Sequence, residues 1–309
     1  MKRVIISVLI IGIVLTTVGC SNVNPINSDT SAQKAIPEIK SVEQSSKQDY
    51  FISTIGDRPY AVAFHKGIMY MVTAPASGNG TLWKVTPDGE RQEFAKLEGD
   101  FEGNYLKDKS FISSGIDFDK DNNVFITLGD RLIKVSPNGK ITIIAEGFSR
   151  SMDVKLDPKG NMYIADDKED TIYKLTPSME KSVFYKGNEN GDFVLTSLAF
   201  DERYENLYAR EGTKILKFKV TSDNVSEKPE VIAENINIFD ICIDSNNNIY
   251  ASTDSNTIKK VNTNGQVTDI IEHGLIHDSI GLSIGGAGFD ANILYIADTS
   301  GIIKAPLEK

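Results

Sequence analysis

Apolar and polar positions alternate in short runs along most of this 309-residue chain, and the runs recur in a fixed order. Each unit reads as an apolar strand, an Asp/Asn/Gly turn, a strand carrying Tyr or Phe, a polar loop, and a strand ending in apolar-x-Lys. The fullest copies begin at Ile116 (IDFDKDNNVFITLGDRLIKVSPNG), Val154 (VKLDPKGNMYIADDKEDTIYKLTPS) and Ile241 (ICIDSNNNIYASTDSNTIKKVNTNG). The second-strand aromatic returns at Tyr70, Phe125, Tyr163, Tyr208, Tyr250 and Tyr295, at separations of 55, 38, 45, 42 and 45 residues. The apolar-x-Lys pairs are Leu82/Lys84, Leu132/Lys134, Ile172/Lys174, Ile215/Lys217, Ile258/Lys260 and Ile302/Lys304. A period of about 40–45 residues, built from short strands, predicts propeller blades. No segment carries a sustained 3.6-residue apolar stripe with caps, which excludes a helical solenoid.

A fourth, outer strand follows in five units: RQEFAKLEG, ITIIAEG, KSVFYKG, PEVIAEN and VTDIIEHG. The sixth unit lacks one, whereas YFISTIG (Tyr50 to Gly56) is an orphan alternating run ahead of the first. The sequence therefore predicts an all-β, six-bladed propeller over residues 49–309. The N-terminal strand is expected to complete the last blade and close the ring, sparing an exposed sheet edge.

Ahead of the repeats, Lys2 and Arg3 precede a short apolar core from Val4 to Leu15, and TTVGC ends at Cys20. This order resembles the lipobox of bacterial lipoproteins, although Thr17 stands where that motif usually has Leu. The resemblance implies a signal peptide over residues 1–19, removed in the mature protein, and a fatty-acylated (palmitate-type) Cys20. An uncleaved anchor is the other reading, but the apolar run is shorter than the roughly 20 residues that span a bilayer. Residues 20–48, rich in Ser, Asn and Gln after the cysteine, read as a flexible tether. The expected address is the bacterial cell membrane, lipid-anchored and facing outside the cytoplasm. A net charge of −10 argues against nucleic acid as a partner, because phosphates demand clustered Lys and Arg. With Cys20 lipidated, Cys242 has no disulfide partner and reads as a small buried side chain.

The segment LDPKGNMYIADDKEDTIYKL resembles an NHL-type repeat, and the series of units resembles the senescence-marker/gluconolactonase class of propellers. That class implies a divalent cation, Ca²⁺ among the candidates, held over the channel by a Glu and an Asn/Asp pair near the start of the innermost strands. Counted five positions before the turn that ends each inner strand, the equivalent residues are Tyr60, Ser114, Met152, Thr196, Phe239 and Ile280. None offers a carboxylate or carboxamide, and hard cations need several oxygen ligands. One position along lie Asp153 and Asp240, which a single-residue bulge could turn toward the channel. Asp57 falls where the Glu would on a shifted alignment. These three are the candidate metal ligands. The competing reading has Asp153 and Asp240 facing neighbouring blades and pairing with Lys155 or backbone amides.

EHGLIHDS places His273, His277 and Asp278 in the connection entering the sixth unit. His277 is the candidate general base, and virginiamycin-type lyases use a propeller histidine. His65 is expected as an exposed turn residue. The DKDNN turn at Asp119 recurs as DPKGN and DSNNN, so a hairpin turn explains it better than a Ca²⁺ loop. Asp166 and Asp298 end second strands and are expected to cap the following turn. Two functions remain. The first is a tethered, non-catalytic module that binds a protein, peptide or small molecule at the channel mouth, lined by Tyr60, Ser114, Met152, Thr196, Phe239 and Ile280. The alternative is a cation-dependent lactonase or esterase of the gluconolactonase type with a rearranged site.

Overall fold

The computed structural model describes residues 50–54, 56–75, 79–97, 115–187, 195–220, 228–271, 275–277, 279–286 and 288–307. The signal segment, Cys20, the tether, Ser114, His273 and Asp278 lie outside the described residues. Every regular element among the described residues is a strand.

The chain enters through β1 (Ile52–Ser53) and folds its first sheet from β2 (Asp57–His65), β3 (Ile68–Pro75), β4 (Gly80–Val85) and β5 (Arg91–Leu97), paired in that order. A six-stranded sheet follows: β6 (Ile116–Phe118), β7 (Val124–Val135), β8 (Ile141–Leu156), β9 (Met162–Asp166), β10 (Thr171–Leu175) and β11 (Lys181–Lys186). Here β7 and β8 are each long enough to do double duty: Val124–Ile126 of β7 pairs with β6, while Gly129–Val135 pairs with β8. Two further sheets comprise β12 (Leu195–Phe200) to β15 (Glu230–Ala233), through β13 (Asn206–Glu211) and β14 (Lys214–Lys219), and β16 (Ile238–Ile243) to β19 (Val267–Ile271), through β17 (Ile249–Thr253) and β18 (Ile258–Val261). The last sheet runs β20 (Gly281–Ile284), β21 (Ile293–Asp298) and β22 (Gly301–Pro306), with β1 on its edge through Ile52↔Ile302 and Ser53↔Gly301. The architecture is an all-β propeller. Its inner strands touch in a circuit: β2 meets β6 and β20, β8 meets β6 and β12, and β16 meets β12 and β20.

The repeat has a direct physical basis. Each anchor aromatic is buried on the second strand of its unit, from Tyr163 and Tyr250 at 0% exposure to Tyr70 and Tyr208 at 6%. Its cross-strand partner is the Lys of apolar-x-Lys: Tyr70↔Lys84, Tyr163↔Lys174, Tyr208↔Lys217, Tyr250↔Lys260 and Tyr295↔Lys304. The ammonium stands over the ring at 5.5–5.8 Å in four of these, so the pair combines ring burial with a cation–π contact. The core lies between adjacent sheets. One cluster joins Tyr70 and Leu82 to Ile126 and Ile133, and another joins Ile52, Val62 and Met69 to Phe289 and Ile302.

The Asp turns are self-contained. In Asp119, Asp157 and Asp244, one carboxylate oxygen accepts the amides two and four residues on, and the other accepts the side chain of Asn123, Asn161 or Asn248. Asn122 and Asn247 take positive φ at 64° and 63° to complete two of the turns, and Gly160 serves the third at 83°. These carboxylates thus accept backbone amides and an Asn side chain within their own turns. His65 departs from expectation: its ring stacks on Phe118 at 4.6 Å and bonds Asn122 Oδ1 at 2.9 Å, because the next sheet's turn packs over it. Asp166 and Asp298 also reach further than a turn cap. Asp166 accepts Ser149 N and Arg150 N, and Asp298 accepts His277 N, so each pins the chain segment entering its own inner strand.

Candidate functional site

The inner strands bring two layers of side chains to the ring axis. Register places Ala61, Gly115, Asp153, Ser197, Asp240 and Gly281 in one layer. The residues opposite the anchor aromatics, namely Ala63, Asp117, Lys155, Ala199, Cys242 and Ser283, form the next. β-Bulges fall between Pro59 and Ala61, Ser151 and Asp153, Leu195 and Leu198, and Ile238 and Ile241. They re-aim the strands where the sequence placed the channel mouth.

The acidic residues of these layers act as clasps between neighbouring inner strands. Asp153 accepts Val154 N (2.8 Å) and Lys155 Nζ (2.7 Å) on one oxygen and Leu198 N (2.7 Å), on β12, on the other. Asp240 accepts Ile241 N (2.9 Å) and Ser197 Oγ (2.6 Å) on one oxygen and Leu282 N (2.7 Å), on β20, on the other. Asp117 repeats the device between β6 and β8, accepting Phe118 N (2.9 Å) and Leu156 N (2.6 Å). Where the upper layer carries glycine, the backbones approach directly: a Cβ on Gly281 would lie 2.7 Å from the Tyr60 carbonyl oxygen.

Three carboxylates thus share one ammonium. Burial pushes Asp117 up to about 6, with the neighbouring Asp153 adding to it against the pull of Lys155. Asp240 rises to about 7, through burial and then the Asp153 charge. Asp153 is also raised, burial outweighing its bond to Lys155. Burial alone would lower Lys155, but Asp153, Asp117 and Asp240 more than offset it and leave the ammonium above its usual range. The Cys242 thiol is pushed well up by burial and by Asp240, a poor setting for a nucleophile.

The donor set does not fit the cation that the family resemblance implies. Both oxygens of Asp153 and of Asp240 already accept hydrogen bonds from the protein, and the Lys155 ammonium stands at 2.7 Å in the charge-compensating place. Asp57 begins β2 opposite Pro75 and takes no part in this network. Among the described residues no group of three or more His, Cys, Asp or Glu is arranged to hold a metal ion.

The mouth residues divide. Met152 and Thr196 are buried at 4% exposure, whereas Phe239, at the equivalent bulge, is exposed. Tyr60 and Ile280 are half-buried, and Arg58 lies 5.8 Å from the Tyr60 ring. The Thr196 hydroxyl accepts Arg210 Nη1 at 2.9 Å. Burial lowers Arg210 to about 10, against the opposing charges of Asp167 and Asp254. Asp167 is itself gripped by both Nε (2.6 Å) and Nη2 (2.5 Å) of Arg150. His277 is exposed, and the interactions that fix this segment run through its backbone. Sequence reasoning missed Asp117 and Arg210. Asp117 could have been found by counting strand register back from Phe125; Arg210 carried no signal of its own.

No family model matches the chain, and no curated protein matches it. Solved structures do. A gluconolactonase from Xanthomonas campestris is 11% identical, with 83% of this chain and 88% of that one covered and a TM-score of 0.66. A streptogramin B lyase is 14% identical over 83% and 96% at a TM-score of 0.56. A calcium-binding regucalcin from Agrobacterium tumefaciens is 15% identical over 80% and 86% at 0.57. At such identities the likeness speaks for architecture alone: the chain is a β-propeller resembling those of the gluconolactonase type.

Proposed function

We propose that the chain is a membrane-tethered, extracytoplasmic propeller of six blades that binds a small molecule, peptide or protein at its channel and catalyses no reaction. The six-stranded sheet counts as two blades, β7 supplying the second and third strands of the first and β8 passing from its outer strand to the inner strand of the next, and β1 supplies the outer strand of the last. The tether follows from the N-terminal segment ending at Cys20. One observation carries the non-catalytic reading. The carboxylates nearest the place where a hydrolytic cation would sit, Asp153 and Asp240, are committed to Lys155, Ser197 and the amides of the adjoining inner strands. A Lewis acid there would first have to displace bonds that join the blades.

The test is a thermal melt with Ca²⁺ and with chelator, beside turnover assays on a panel of lactones and esters. A native site would raise the melting temperature by mass action. The expected result is no metal-dependent shift and no turnover. A Ca²⁺-dependent shift with lactone hydrolysis would return the protein to the hydrolase reading.

A further inference from the structure

The channel opens at its other end into a chamber that the sequence did not announce. A cavity of about 240 Å³ lies on the axis among all the inner strands, with Asp117, Lys155, Asp240 and Cys242 in its wall. It shares Phe64, Asp117, Phe118, Leu156 and Tyr204 with a second cavity of about 600 Å³ beneath the first-to-second-strand turns. The two adjoin across these residues on the turn side of the ring, opposite the predicted mouth, and are taken together below as the turn-side cleft. The lining mixes aromatic and aliphatic side chains with charged groups, a setting for a small ligand that carries both an apolar body and a charge.

The walls specify the ligand's character. Phe64, Phe118 and Tyr204 present rings on the shared boundary. Tyr204, 42% exposed, tilts against Phe200 at 5.3 Å, and Asp117 is close enough to raise its hydroxyl after burial has done so. The outer cavity is balanced in charge, with Asp119, Asp121 and Asp157 against Lys120, Lys134 and Lys159. The inner chamber is not. Its one ammonium, Lys155, is bonded to Asp153 and reaches Asp117 and Asp240 only as a neighbouring charge, while these two accept hydrogen bonds from amides and a hydroxyl. We propose that this turn-side cleft binds a small organic cation, an amine on an aromatic body, with its ammonium against Asp117 and its ring against Phe118 and Tyr204. The ammonium would supply the positive charge that the three carboxylates lack, and the rings would pack against the ligand's aromatic body.

The inference rests on the reading of the ring as a binding module, and the two can fail separately. Protons compete for the same carboxylates: Asp117 and Asp240 are faced by Lys155 and Asp153 from β8, by Cys242 from β16 and by Tyr204. Amine affinity should therefore fall as pH is lowered from 8 to 5, although the amine stays charged. Calorimetric titration of the full-length chain in detergent, with tyramine and benzylamine as probes, tests this. Both should bind saturably at pH 8. The neutral analogue 4-ethylphenol and the acid 3-(4-hydroxyphenyl)propionate should bind at least tenfold more weakly. Asp117→Asn should weaken tyramine at least tenfold and Tyr204→Ala severalfold, while Val231→Ala, exposed on the outer strand β15, should leave it unchanged. The exposed Tyr204 site keeps the test decisive should Asp117→Asn fail to fold. The proposal is overturned if neither amine binds, if 4-ethylphenol matches tyramine, or if Tyr204→Ala binds tyramine as wild type does. Lactone turnover with normal tyramine binding would sink only the non-catalytic reading.

Discussion

Lowering the pH from 8 to 5 should stabilise this protein, because its axis holds carboxylates that the fold prefers protonated. Asp117 is lifted from the ordinary 3.8 to about 6 and Asp240 from 3.8 to about 7. The folded state then carries more protons than the unfolded chain between roughly pH 4 and 7, so stability falls as pH rises through that window and levels off above it. A tenfold change in proton affinity is worth about 1.4 kcal/mol, so the two groups taken alone contribute roughly 3 and 4 kcal/mol below pH 4, of which roughly 1 and 3 kcal/mol separate pH 5 from pH 8. They share Lys155 and Asp153 and cannot simply add, so a combined loss of about 2–4 kcal/mol between pH 5 and 8 is expected. At about 2–4 °C per kcal/mol for a domain of this size, the melting temperature should be roughly 4–16 °C higher at pH 5 than at pH 8. Relief of the overall negative charge at low pH acts in the same direction. Asp240→Asn separates the two contributions. Whatever the substitution costs outright through its donor facing Leu282 N, it removes the more strongly shifted group and should cut the pH-dependent drop by more than half. Scanning calorimetry at four pH values on both proteins is the assay. A melting temperature that is flat or rises with pH, or a slope unchanged by Asp240→Asn, refutes the buried-carboxylate argument.

Other consequences are separately measurable. Arg150→Ala removes both guanidinium bonds to Asp167, whose side chain has no exposure; a loss of about 3–5 kcal/mol in urea unfolding is expected. Asp157→Ala frees the amides of Lys159 and Asn161 and the Asn161 side chain, and should cost about 1–2 kcal/mol in the same assay without changing Ca²⁺ response. Gly281→Ala forces a Cβ to within 2.7 Å of the Tyr60 carbonyl; a loss of about 1–3 kcal/mol would mark strain where the last sheet meets the first. Cys20→Ser should move the protein from the membrane to the soluble fraction on cell fractionation, and its retention there would count against a lipid anchor.

Much of the fold was legible because the repeat is written in residues whose roles are local. The aromatic and the Lys two residues past an apolar position are direct cross-strand partners, as Tyr163↔Lys174 and Tyr295↔Lys304 show. The Asp-x-x-x-Asn turns close on their own backbone. Strand order within each unit follows from such neighbours, and period alone then implies a ring. The site was not legible in the same way. Whether Asp153 and Asp240 serve a cation or the backbone depends on the amides of Leu198 and Leu282, more than 40 residues away on adjoining inner strands. Asp117, in the sequence only a polar position ahead of a turn, becomes chemically distinctive once burial and the neighbouring Lys155 and Asp153 surround it. Alternation and turn chemistry act over a few residues and survive in the one-dimensional text. Charge balance, desolvation and cavity shape at the axis are sums over all the inner strands, and they exist only after the ring has assembled.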